Sequence, residues 1–139
     1  VTIAPLALPL RSVLVAPNVP ASVRLARETA ELTFAGWGIN PGHPVLGPAL
    51  LVLSELVTNS VRHAAGASPQ LTVTYTAGSG VLAFAVHDRH PYAPEPLSFP
   101  QSTGGLATVA EVLTAWGGTW TVRPDADGGG KGVWITLPL

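Results

Sequence analysis

Residues 51–64, Leu-Val-Leu-Ser-Glu-Leu-Val-Thr-Asn-Ser-Val-Arg-His-Ala, constrain the fold more than any other stretch of the chain. Leu51, Val52, Leu53, Leu56, Val57, Val61 and Ala64 recur at the spacing of a buried helix. Glu55, Thr58, Asn59, Arg62 and His63 fall in one sector of that helix and form a single polar stripe. Glu55 and Asn59 are one turn apart, as are Asn59 and His63. Flanks this apolar predict that the stripe faces a pocket rather than open water. A carboxylate and an amide one turn apart on a cleft wall can orient a nucleophile and hold a divalent cation.

The rest of the chain supplies a partner layer for such a helix. Leu71, Val73 and Tyr75 alternate with Thr72, Thr74 and Thr76, the pattern of a half-buried strand. The glycines at 78 and 80 turn the chain, and 81–86 is almost wholly apolar, which predicts a central strand ending at Asp88. A short strand is expected over 11–16, and a helix over 20–35 with Pro20 in its first turn. The polar-striped helix should run from 45 to 63. A third helix should open at Thr103-Gly104-Gly105-Leu106, with Leu106, Val109, Ala110, Leu113 and Trp116 on one face. Residues 119–123 and 132–137 read as a closing hairpin. Its glycine-rich connection, 124–131, is expected to be mobile, with Lys131, the single lysine, in solvent. Residues 90–102 hold four prolines and little periodicity, as a long functional loop would. These elements predict an α/β (α+β) two-layer sandwich. It would have about five strands, mixed but mainly antiparallel, with about three helices covering one face. Residues 1–9 are a lead-in and 10–139 one domain.

Composition narrows the function classes. Charged residues make up only 11% of the 139 residues, against about 25% in ordinary globular chains, which points to a surface covered by a protein partner or to a small domain that is simply apolar. Net charge is −1, which provides no footprint for a nucleic acid. With no cysteine there is no disulfide framework and no thiolate metal site. No apolar run is long enough for a membrane span, and the prolines at 5 and 9 without a basic start argue against a signal peptide. A cytoplasmic location is expected.

Several residues have chemistry to offer, each beside a plainer alternative. Glu55 can accept a proton from water or a hydroxyl, or can be tied to Arg62 or backbone amides. Asn59 offers a neutral oxygen to magnesium, or is a satisfied core amide. His63 can touch a phosphate or complement the helix end. Asp88 can accept a hydrogen bond from an exocyclic amine such as adenine offers, or cap the following loop. Thr103, Gly104 and Gly105 can cradle an anion at a helix start, or Thr103 can be an ordinary N-cap. His43, His87 and His90 lack metal-ligand spacing and are read as structural or exposed.

The order of these elements resembles the GHKL ATPase superfamily, and within it the anti-sigma factor and serine-protein kinase branch with its small stand-alone ATP-binding relatives. Residues 54–64 are similar to that branch's N box nearly residue for residue. Residues 86–94, Val-His-Asp-Arg-His-Pro-Tyr-Ala-Pro, resemble the first glycine box in its proline-containing form. Gly105-Leu106 and the following helix, ending Ala115-Trp116-Gly117, resemble the second box. Gly130-Lys131-Gly132-Val133-Trp134 resembles the closing strand, and Ala35-Gly36-Trp37-Gly38 also fits. The box details fit the anti-sigma branch better than a detached histidine-kinase domain.

The resemblance covers residues 10 to 139 and implies the Bergerat ATP-binding fold, with Mg-ATP held between helices and sheet under a lid at 90–103. It implies Glu55 as general base, Asn59 as magnesium ligand and Asp88 as partner of the adenine amine. His63, Pro91, Thr103, Gly104, Gly105 and Leu106 would complete the nucleotide site. It further implies a protein partner such as a sigma factor, an anti-anti-sigma protein or another transcription regulator. A homodimer would form through the sheet side away from the pocket. The activity would be phosphorylation of a serine or threonine on an antagonist. The chain departs from the pattern at Thr103, where a glycine is usual, at Gly104, often basic, and at Gly132, usually a threonine that helps hold adenine. These departures favour an alternative, a protein-binding module that has lost phosphoryl transfer.

Overall fold

A computed structural model describes residues 8–91 and 105–139. The elements in chain order are β1 (Leu10–Pro17), α1 (Ala21–Gly36), α2 (Leu46–Ala64), β2 (Gln70–Gly78), β3 (Val81–Asp88), α3 (Gly105–Trp116), β4 (Thr119–Pro124) and β5 (Lys131–Pro138). They form an open five-stranded sheet in the order β1-β2-β3-β5-β4. Every pairing in it is antiparallel, where the sequence predicted a mixed, mainly antiparallel sheet. Helix α2 packs against both α1 and α3 and lies over β3. Among the described residues no helix is long and apolar enough to cross a membrane.

Local chemistry accounts for most element ends. Pro20 is the N-cap of α1 in helical conformation, so its fixed φ helps start the helix. Before α2, the Val45 amide donates to His43 Nδ1 at 3.1 Å, and the Leu46 amide to the His43 carbonyl at 3.1 Å. Pro48 in the first turn of α2 gives up an N–H that has no intrahelical acceptor there. Between β2 and β3 only Ser79 and Gly80 lie outside the ladder, with φ of 54° and 72°. Two positive φ values in a two-residue loop make the turn whose twist matches a hairpin.

The core lies between the helices and one face of the sheet. Leu71, Val73, Tyr75 and Ala77 of β2 join it together with Leu82, Phe84 and Val86 of β3 and Val133, Ile135 and Leu137 of β5. Each set has period two, as one face of a strand requires. Helix α1 buries Ser22, Ala26, Ala30 and Phe34, a ladder of small residues that ends in one ring. The small side chains let the helix approach until the Tyr75 hydroxyl, fully buried, donates to the Ala26 carbonyl at 2.8 Å. Phe34 meets the Tyr75 ring edge-on at 5.9 Å. Burial pushes the Tyr75 hydroxyl well above its ordinary pKa, so it is a fixed donor.

Phe34 anchors α1 by apolar area and Tyr75 adds one hydrogen bond. Phe34→Ala is expected to lower unfolding stability by about 3–5 kcal/mol, and Tyr75→Phe by about 1 kcal/mol, in urea titrations followed by circular dichroism. A smaller loss for Phe34→Ala than for Tyr75→Phe would mean that α1 is not held mainly by its ring.

Candidate functional site

Strand β3 carries Leu82, Phe84 and Val86 into the core, and Asp88 continues the same inward row. On β5, Lys131 continues the row of Val133, Ile135 and Leu137. The β3–β5 register sets Asp88 directly opposite Lys131, so the two side chains lie on one face. Lys131 Nζ donates to Asp88 Oδ1 at 2.5 Å, with the two residues only 6% and 3% exposed. Lysine and aspartate are rarely buried to this degree unless paired. The sequence placed Lys131 in a solvated loop, but β5 begins one residue earlier than expected, and that residue's side chain enters the core side.

Two further donors complete the Asp88 environment among the described residues. Ser60 Oγ of α2 donates to Asp88 Oδ2 at 2.7 Å, and the His90 amide donates to Oδ1 at 3.1 Å. Ser60 is in turn approached by Asn18 Nδ2, 3.3 Å from its Oγ, which also donates to the Ser68 carbonyl at 3.0 Å. The ends of β1, α2, β3 and β5 therefore share one buried polar network. The sequence pattern includes Ser60 in the N-box stretch but gives it no role. Its signal is its phase, four residues after Leu56 and four before Ala64, both buried.

This network forms one end of a cavity of about 390 Å³. Helix α2 contributes Asn59, Ser60, His63 and Ala64 to its wall, the strand ends contribute Asp88, His90 and Lys131, and α3 contributes Leu106. A smaller cavity of about 20 Å³ adjoins it, shared by Asn59, Ser60, Asp88 and Lys131 and closed by Leu56, Val86, Trp120 and Val133. The indole Nε1 of Trp120 is buried without a hydrogen-bond partner.

The structure brings Asn59, His63, Asp88 and Leu106 to one cavity and leaves other candidates off it. Glu55 is half-buried one turn before Asn59 and does not line the cavity, nor do Thr58 and Arg62 of the same stripe. Pro91 is exposed just past His90 and is also off the wall. Gly105 begins α3, one residue before Leu106. Thr103, Gly104 and most of the expected lid, residues 92–104, lie outside the described residues. Among the described residues no group of three or more metal-ligating His, Cys, Asp or Glu side chains exists. Gly132, where a threonine was expected to help hold a base, opposes His87 and so lies on the other sheet face. The inward residue beside it is Lys131.

The β4–β5 connection, expected to be mobile, is instead tied to the end of β3. Arg89 forms ion pairs with Asp125 and, at 2.8 Å, with Asp127. His87 Nε2 lies 2.9 Å from Asp125 Oδ1, and the Asp125 amide donates to the Gly130 carbonyl at 2.9 Å. Gly130 presses so close that an added Cβ would stand 2.6 Å from the Asp88 carbonyl oxygen. Only glycine permits that approach. The Arg89 hydrogen bond, helped by the Gly129 amide, holds the Asp127 carboxyl down to about 2. The His87 contact and then Arg89 lower that of Asp125.

Residues 48–139 match the family model described as histidine kinase-, DNA gyrase B-, and HSP90-like ATPase. The chain belongs to that family. No curated protein matches it. Among solved structures, the histidine kinase domain of the blue-light activated histidine kinase EL346 from Erythrobacter litoralis is 26% identical at a TM-score of 0.55. That match covers 68% of this chain and 45% of that one. The structure of the RsbU and RsbW domains of Rv1364c from Mycobacterium tuberculosis is 20% identical at a TM-score of 0.67, over 93% of this chain and 32% of that one. The Acinetobacter baumannii histidine kinase AdeS is 23% identical at a TM-score of 0.53, over 67% and 46%. The latter two likenesses speak to the fold alone. The chain spans less than half the length of each of these proteins.

A carboxylate depressed to about 2, against about 3.9 in an unfolded chain, strengthens the loop tether wherever it is ionised in the fold. The sign is that of any depressed acid: the contribution is complete above about pH 4 and is lost as pH falls toward 2. The backbone ¹⁵N shifts of Asp127 and Gly129, whose amide donates to the Asp127 carboxylate, should therefore titrate with a midpoint near 2, moving toward 4 in Arg89→Ala. A midpoint near 4 in the parent protein would show that Arg89 does not hold the loop.

Proposed function

We propose that the chain is a Mg-ATP-binding regulatory domain of the anti-sigma factor type, acting in the cytoplasm, where Mg-ATP is supplied. One observation carries the nucleotide reading. Asp88, an acceptor at the closed end of the cavity, faces Asn59, His63 and the start of α3 across a space of about 390 Å³. That volume lies within the range of about 300–1,000 Å³ typical of small-molecule sites.

The residues present suit the ligand. Asp88 would receive the adenine amine on Oδ2. That oxygen takes one hydrogen bond, from Ser60, and a carboxylate has about four acceptor sites in all. Asn59 would offer magnesium one neutral oxygen. This suits an ion that takes most of its remaining ligands from water and phosphate oxygens. His63, at the exposed cavity edge, and the helix start at Gly105 and Leu106 would face the phosphates, aided by free amides and the helix dipole. Pro91, Thr103 and Gly104 would complete that end. When bound, the Mg-ATP complex supplies the phosphoryl group. The chain's part is to position it, and phosphoryl transfer depends mainly on such positioning and on charge stabilisation.

The anti-sigma assignment is supported by the N-box sequence at 54–64, and contact with a protein partner by the sparse surface charge. The partner would be a sigma factor, an anti-anti-sigma protein or another transcription regulator, and the domain would pair with a second copy. In the kinase form of this reading, Glu55 is the general base toward a serine or threonine of an antagonist. The second form is a binding module without transfer. It is favoured by the position of Glu55 off the cavity wall.

Calorimetric titration of Mg-ATP should show saturable binding. Asn59→Ala should weaken it about tenfold or more, as expected from losing one charge-assisted contact of about 1.5–3 kcal/mol, and removing magnesium should do the same. No binding to folded protein would defeat the nucleotide reading. Glu55→Gln should leave binding intact and abolish transfer of labelled phosphate to an antagonist protein. Unchanged transfer in that variant would remove Glu55 from the base role.

A further inference from the structure

Lysine is almost never buried unless it is paired, and this chain places its single lysine in the cavity wall. Lys131 Nζ has three N–H donors, and among the described residues only Asp88 Oδ1 takes one. Lys131 also lines both cavities, the smaller of them together with Trp120, whose Nε1 is buried without a hydrogen-bond partner. A buried ion pair gains little stability over a well-packed apolar pair. Its position at the closed end of the cavity therefore calls for a ligand-directed explanation.

We infer that Lys131 is a base-reading residue that donates to the purine ring nitrogen beside the amino group held by Asp88. The inference rests on the nucleotide reading above. Asp88 and Lys131 stand directly opposite in the β3–β5 ladder and 2.5 Å apart at their polar atoms. They present an acceptor and a donor side by side. The 6-amino edge of adenine presents the complement, an N–H donor with an acceptor ring nitrogen next to it, as N1 or N7. Asp88 alone reads only the amine. Asp88 with Lys131 reads two adjacent atoms, which fixes the ring in its plane as well as its identity. The assignment also explains how the chain manages without a threonine at Gly132. That position faces away with His87, and the inward position next to it carries a stronger donor.

The test deletes the acceptor on the ligand, which leaves the protein untouched. Titrations of Mg-ATP, Mg-1-deaza-ATP and Mg-7-deaza-ATP into the parent chain should show one deaza analogue binding about tenfold more weakly than ATP. In Lys131→Met, ATP should weaken to a similar degree and the difference between ATP and that analogue should vanish. Circular dichroism would confirm that the variant is folded. If the variant is unfolded, the parent titrations decide alone. ATP and both analogues binding the parent equally would overturn the inference while leaving the nucleotide reading intact. Tighter ATP binding by Lys131→Met would also overturn it, because Lys131 would then be competing with the base for Asp88. Absence of binding by all three nucleotides would overturn the nucleotide reading and this inference with it.

Discussion

The contact between Asp88 and Lys131 is the interaction on which the site's architecture depends. It exists because two inward rows of apolar residues, one on β3 and one on β5, both end in a charged residue at the same rung of the ladder. A charge buried at that depth must be paired and hydrogen-bonded. The chain meets that requirement with Ser60 from α2, the His90 amide and the lysine itself. Removing one partner would leave the other charge without compensation, which is more destabilising than the pair is stabilising.

From this pair the constraint spreads in two directions. Through Ser60 and Asn18 it reaches the end of β1 and the turn after α2, so the angle of α2 on the sheet is tied to the carboxylate. Through Gly130 and Arg89 it reaches the β4–β5 connection. Its backbone lies against Asp88, and its two aspartates are held by Arg89. The cavity is thus bounded at its buried end by hydrogen-bonded groups from three elements, α2, β3 and β5. Its other wall is the polar edge of α2 and the start of α3. A rigid acceptor end beside a more open end suits a ligand with a flat polar head and an anionic tail.

Much of the fold could be read from the sequence because its signals are local and periodic. The alternation at 71–76, the apolar run at 81–86 and the glycines at 78 and 80 yield the central hairpin in its observed place. Helices α1 and α2 fall within a residue of expectation, with proline and glycine near their ends. The polar stripe on α2 and Asp88 at the end of β3 were legible as candidates for the same reasons. Lys131 was misplaced by a one-residue error at the start of β5, and in a strand one residue decides which face a side chain occupies. Ser60 was passed over because a serine within a helical apolar face gives no local sign of what it will meet.

The sequence by itself determined the elements, their amphipathic faces and the resemblance carried by residues 54–64. Hydrophobic period and turn chemistry act over a few residues, so one chain suffices to display them. Only the tertiary structure decided which edge of the polar stripe meets the strand ends, placing Asn59 and His63 on the cavity and leaving Glu55 off it. Only it paired Lys131 with Asp88, 43 residues away, and tied down the glycine-rich connection. Those outcomes depend on strand register and on the seating of α2 over β3. Both are set by the packing of the whole core, and neither is encoded within any single element.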